Sequence, residues 1–140
     1  MRQKGFTLME LMITMAIIAI IAAVAYPSYI KSAYKGRRAE GKAALNLAAQ
    51  TLERCYANYG LYNSGNCGEV ATLTAGTPST PEKYYTITGT LTGTSYVIAA
   101  TASSTGPQAN DTGCTILTLN STGQQGSGST TATTDTNGCW

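Results

Sequence analysis

Five side chains carry most of the chemistry open to this sequence: one carboxylate, Glu10, and four cysteines, Cys55, Cys67, Cys114 and Cys139. Glu10 stands in GFTLMELMITMAIIAIIAAVAYP, residues 5–27, which is otherwise almost wholly apolar. A charged group at mid-bilayer costs about 2.5–3.5 kcal/mol, less near an interface, and such groups tend to have partners. No base stands between Leu11 and Ile30 to supply one. Histidine is absent, which removes imidazole triads, imidazole metal sites and histidine pH switches. No cysteine lies in a C-x-x-C pair, so a zinc site is not expected. The serines lie in no G-x-S-x-G motif, and the scattered acids form no calcium-loop pattern. No catalytic residue, cofactor or metal is therefore expected. What remains is disulfide formation and charge pairing at Glu10. Four cysteines in a small polar domain behind a membrane-entry segment read as two disulfides in an oxidising compartment. Three connectivities are possible, and the sequence alone does not choose among them.

The elements that must position these groups follow from hydropathy. Residues 11–30 contain no charge. Twenty helical residues span about 30 Å, the thickness of the hydrocarbon core. A secretory signal peptide has a shorter apolar core and a small-x-small cleavage site. A soluble core helix that is apolar all round needs a larger protein around it. The run is therefore read as a transmembrane segment. Pro27 cannot donate to the carbonyl of Ala23, so a kink is expected there. The helical pattern nevertheless continues: Ala43, Leu47, Ala48 and Leu52 form one apolar stripe, and Leu45, Ala49 and Tyr56 another. One helix is expected from about Phe6 to about Asn58, ending near Gly60. Its first half suits lipid, and its amphipathic second half needs a domain to pack on.

Residues 59–83 read as a loop, rich in glycine and proline. Three strands follow: YYTITGTL at 84–91, SYVIAATA at 95–102 and CTILTLN at 114–120, with turns at Thr-Gly-Thr and at Ser-Thr-Gly. They predict an antiparallel sheet with one face on the amphipathic half of the helix, an α+β fold. The segment QQGSGSTTATTDTNG before Cys139 is small and polar, and is expected to be a tethered loop facing solvent.

The net charge of +2 conceals a polarity. Lys31, Lys35, Arg37, Arg38, Lys42 and Arg54 make the helical stem basic, against Glu40 and Glu53. Beyond Arg54 the single base is Lys83, set against Glu69, Glu82, Asp111 and Asp135. Counting Lys and Arg on each side of the span would place the head in the cytoplasm. The cysteines argue for the opposite side.

The segment Lys4-Gly5-Phe6-Thr7-Leu8-Met9-Glu10, followed by so long an apolar run, resembles the processing site of type IV pilins and related pseudopilins. The resemblance extends over the leader, the span, the proline and the long helix before a disulfide-bearing sheet. It implies a leader over residues 1–5, cleaved between Gly5 and Phe6 by a prepilin peptidase that also N-methylates Phe6. It implies a transmembrane and fibre-core segment at 6–30, an amphipathic half at 31–58, an αβ-loop at 59–83 and a sheet at 84–140 closed by a C-terminal disulfide loop. Glu10 matches the family's acidic assembly residue, and Pro27 its helix proline. Cys114 and Cys139 match the family's C-terminal pair; under that resemblance the expected pairing is Cys114–Cys139 and Cys55–Cys67, although the simplest pilins lack the latter. Arg37, Arg38 and Ala39, with the terminal Cys139 and Trp140, resemble the PilE-like minor pilins. The head is then expected in the periplasm, anchored in the bacterial inner membrane before assembly and on the cell-surface pilus afterwards.

The function implied is structural: a major or minor subunit of a type IV pilus. Its partners are other pilin subunits, the peptidase and methylase, an inner-membrane assembly platform and, before assembly, lipid. The basic stem is expected to face anionic headgroups, or acidic heads of neighbouring subunits. Two alternatives stand beside this. A competence pilin would bind DNA, which needs a basic surface; here the bases lie on the stem and the head is acidic, so nucleic acid is not the expected partner. A type II secretion pseudopilin often lacks disulfides and binds calcium through carboxylates.

Overall fold

A computed structural model describes residues 5–76 and 79–140. Of the expected leader only Gly5 is among them; Arg2 and Lys4 lie outside. The chain divides into two units, Met1–Ala33 and Tyr34–Trp140.

The first unit is helical from Leu8, the start of α1 (Leu8–Tyr59). The helix continues unbroken through Pro27. It is long and apolar enough to cross a membrane, and its most apolar stretch has no buried residue. Ile13, Ile17, Ile20 and Val24 all face outward. A helix apolar on every side, with no protein around it, needs lipid or other helices.

The second unit is the head. Gly41, Leu45, Leu52 and Cys55 are buried along one line of α1, with Ala44, Ala48 and Ala49 packed beside them. The expected pair of stripes is thus half right. Leu45 and Leu52 enter the core, whereas Leu47 and Tyr56 are exposed. Gly60 ends the helix as expected, its φ of 70° supplying the left-handed turn and its N–H bonding Tyr56 O.

Residues 59–83, read as loop, contain a further helix, α2 (Gly68–Ala75), closed by Gly76 in the left-handed region. Two threonines in eight residues obscured it, because they favour strands and turns over helices. Leu73 carries α2 into the core.

Four strands form an antiparallel meander in chain order: β1 (Tyr85–Leu91), β2 (Tyr96–Ala102), β3 (Ile116–Asn120) and β4 (Gln125–Ser127). The first three are those expected, each within two residues. The register sets Ile87 opposite Ala100 and Ala100 opposite Leu117, while Ile98 faces Leu119. With Tyr85 and Tyr96 these residues build one apolar face, packed into a common core with Leu45 and Leu52. The fold is α+β: a long helix on a four-stranded antiparallel sheet.

The fourth strand corrects the picture of the polar tail. Gly126 and Ser127 are buried rather than looped into solvent. Thr118 sits opposite Gly126 in the β3–β4 register and donates its hydroxyl to Ala132 O. The tail therefore folds back onto the sheet. A Cβ on Gly126 would collide with Ala132 O and lie 2.5 Å from Thr118 Oγ1, so glycine is required there. Ser129, Thr130, Thr131, Thr133 and Thr134 do remain exposed, as expected for that segment.

Candidate assembly interface

At the start of α1, Thr7 is the cap. Its Oγ1 accepts the backbone N–H of Glu10 at 3.2 Å, and its carbonyl accepts that of Leu11. Thr-x-x-Glu is a capping-box pattern, a signal in the sequence that hydropathy alone passes over. Glu10 thus lies in the first helical turn, where the positive end of the helix dipole favours a carboxylate by about 0.3–1 kcal/mol. That offsets part of the burial penalty and leaves the rest for a partner. Phe6 stands before the cap, 86% exposed and outside the helix. The helical i, i+4 register that would join Phe6 to Glu10 within one chain is not formed.

In the head the functional question is how the sheet is fixed to the stem. Arg38 and Asp111 answer part of it. The guanidinium donates from Nε and Nη2 to the two Asp111 oxygens, both at 2.6 Å. Their side chains are 14% and 5% exposed. Gln108 donates its amide to the same carboxylate. The hydrogen bond from Arg38 to Asp111 raises the guanidinium above its ordinary value, so Arg38 keeps its charge. A basic stem residue expected to face lipid or a neighbour is instead paired within its own head. Beside it, Gly41 lets the ring of Tyr85 lie against the helix backbone; a Cβ there would be 3.1 Å from that ring. Burial pushes the Tyr85 phenol up to about 12.

A second attachment lies near the end of α1. Glu53 accepts hydroxyls from Tyr62 and Tyr96 at 3.0–3.1 Å. Tyr62 stacks on Tyr56 at 4.5 Å and meets Tyr96 edge-on at 5.0 Å. Burial raises both phenols, Tyr62 and Tyr96, and the Glu53 carboxylate raises them further.

The cysteines pair as expected, Cys55–Cys67 and Cys114–Cys139, with Cα atoms 6.0 and 5.6 Å apart. The first ties the end of α1 to the start of α2; the second ties the tail to the approach to β3. Asp135 holds the tail internally. It accepts the Ser127 hydroxyl at 2.6 Å and the Trp140 N–H at 2.9 Å. Burial opposes its ionisation, but these bonds and those from the Cys139 and Asn137 backbone outweigh burial and hold the carboxyl at about 2. Among the described residues no three His, Cys, Asp or Glu side chains gather as a metal-holding group. The Arg38–Asp111 pair, the Thr7 cap and the Asp135 knot were all missed by sequence reasoning. Only the Thr7 cap had a local signal.

An exposed apolar helix followed by a doubly disulfide-linked α+β head defines a protein built to be held by lipid or by other helices. Residues 1–26 match the prokaryotic N-terminal methylation motif. Residues 27–118 match the family described as type IV minor pilin ComP, DNA uptake sequence receptor. Among curated proteins, the chain is similar to the fimbrial protein EcpC of Eikenella corrodens, 35% identical over 130 residues, covering 89% of this chain and 78% of that protein. It is also similar to the type IV major pilin PilE1 of Neisseria gonorrhoeae, 42% identical over 71 residues, 49% of this chain and 32% of that protein. A third relative is the type IV major pilin PilA of Myxococcus xanthus (strain DK1622), 50% identical over 55 residues, 39% of this chain and 24% of that protein. The chain belongs to the type IV pilin family.

Proposed function

We infer that the chain is a structural subunit of a type IV pilus that assembles with other pilin subunits through its N-terminal helix. The observation that carries this is the fully exposed apolar first half of α1, which joins a methylation motif to a compact head. Before assembly the segment sits in the bacterial inner membrane with the head in the periplasm, where the two disulfides form. A prepilin peptidase cuts between Gly5 and Phe6 and the new amine of Phe6 is methylated. An inner-membrane platform then adds the subunit to the fibre, and Pro27 lets the helix adjust to its neighbours. The amine of one subunit meets Glu10 of another, where little water screens the pair. The placement of Phe6 outside the helix favours this contact between chains over one within a chain. The test is recovery of Glu10→Gln in sheared fibres beside its cleavage in the membrane. Cleaved but poorly incorporated protein is expected; incorporation at the wild-type level removes the charge-pair role.

One specific observation favours a second reading, capture of DNA during uptake: the match over residues 27–118 is to a family described as a DNA uptake sequence receptor. Against it, the head beyond Arg54 carries one base and four acids. A mobility shift with the full chain in detergent, at low and moderate salt, separates the two. Tight, salt-sensitive binding supports capture; its absence leaves the structural role alone.

A further inference from the structure

Lys35, Arg38 and Lys42 recur at helical spacing along one side of α1, and a notch of about 250 Å³ is lined by these three bases with Gly138, Cys139 and Trp140. No acid lines it. Arg38 is committed to Asp111, the one ion pair among the described residues, which leaves Lys35 and Lys42 to act on a ligand. Trp140 is held rigidly for a surface side chain. Its indole N–H donates to Gly126 O at 2.8 Å, its backbone N–H to Asp135, and the preceding Cys139 is disulfide-bonded. Lys42 Nζ lies 5.7 Å from the centre of the indole ring. Two unpaired ammonium groups beside a fixed indole suit a phosphate ester with an apolar continuation.

We propose that this notch binds the headgroup of an anionic phospholipid while the subunit waits in the membrane. The proposal rests on the membrane-anchored reading above. Lys35 follows Ile30, the end of the charge-free run, by five residues in the sequence, so the first base of the notch stands close after the span along the chain. Tryptophan is enriched at membrane–water interfaces, and basic residues next to a span are attracted to anionic lipid. The notch has room for one headgroup; the backbone of a DNA duplex would need a longer basic track.

Trp140 is the only tryptophan in the chain, so its fluorescence reports the notch directly. The full chain is placed in nanodiscs of phosphatidylcholine, and phosphatidylglycerol is then introduced in steps. Phosphatidylglycerol should reduce quenching of Trp140 by acrylamide, and added salt should weaken the effect. Lys35→Gln and Lys42→Gln should each raise the phosphatidylglycerol fraction needed by about fivefold. Lys42→Arg should keep the response, which shows that the charge matters rather than the fold, and Lys83→Gln should leave it unchanged. Equal quenching in both lipids overturns the proposal, as does a response indifferent to Lys35 and Lys42. Equal protection in neutral discs by inorganic phosphate means a soluble-anion site instead; equal protection by a short DNA duplex means a nucleic-acid site. Failure of the chain to remain with neutral discs overturns the anchored reading itself, and is seen separately by flotation.

Discussion

Arg38 in the helical stem and Asp111 in the head are seventy-three residues apart in sequence and meet in a two-pronged ion pair of 2.6 Å bonds. Both side chains are largely out of water, so the pair resists salt. Desolvation offsets much of its Coulomb attraction, and its net stabilisation is therefore modest. Its larger effect is on specificity, since one rotation of the head on the helix brings both prongs together. Removing one partner leaves a buried charge alone. Arg38→Met is expected to lower stability by about 3–5 kcal/mol, and the double variant Arg38→Met, Asp111→Leu by much less. Thermal unfolding of the four proteins in a double-mutant cycle measures this. Arg38→Lys should recover little, because an ammonium cannot supply the fork.

Gly126→Ala places a methyl group on backbone atoms of the tail. Its neighbours are a carbonyl and a hydroxyl already bonded to each other, which leaves little room to yield. A loss of about 3 kcal/mol is expected. Limited proteolysis should then cut the tail between β4 and Cys139 before the rest of the head. A tail that stays resistant would mean that it accommodates the methyl group and remains packed on β3.

The two disulfides should differ in weight. They close loops with sequence separations of 12 and 25. Loop entropy gives about 3 kcal/mol for the shorter and about 3.5 kcal/mol for the longer. Loss of Cys114–Cys139 also frees Trp140 and the strand β4. Paired Cys→Ser variants, melted in detergent, should therefore show the larger drop for Cys114 and Cys139. Equal drops would mean that the tail adds no packing of its own.

Asp135 gives the head a dependence on acid. Its folded carboxyl sits at about 2 against an ordinary value of 3.8, so the unfolded chain takes up the proton more readily. Its contribution is complete above that ordinary value and is lost as pH falls through about 2. Wild-type stability should decline between about pH 4 and about pH 2 more steeply than that of Asp135→Asn. The variant should already be weaker at neutral pH, because its amide cannot accept every bond the carboxylate does. Parallel slopes would assign the acid sensitivity to other carboxylates.

Periodicity made the long elements legible. The charge-free run, the helical recurrence through Leu45 and Leu52 and the glycine stop at Gly60 all act over short distances, and so did the three strands. What stayed hidden depends on contacts distant in sequence. Arg38 looks like any stem base until Asp111 is brought to it. Leu47 and Leu45 are equivalent by residue type, and only the position of the sheet decides which is covered. The fourth strand was hidden because glycine and serine have low strand preference; Gly126 is there for closeness to Ala132, which a propensity scale does not register. The cysteine pairing came from resemblance, since spacing does not distinguish three possibilities.

The Thr7 cap also bears on the order of events in maturation. Because the helix begins at Leu8, the proposed cut between Gly5 and Phe6 falls in non-helical chain, the form a peptidase cleft can take up. No turn has to unwind for the scissile bond to be reached. The cut would also leave the cap intact, with Phe6 as a one-residue overhang before it. Under the proposed processing, leader removal would then be uncoupled from helix folding, because α1 begins at Leu8, beyond the cut.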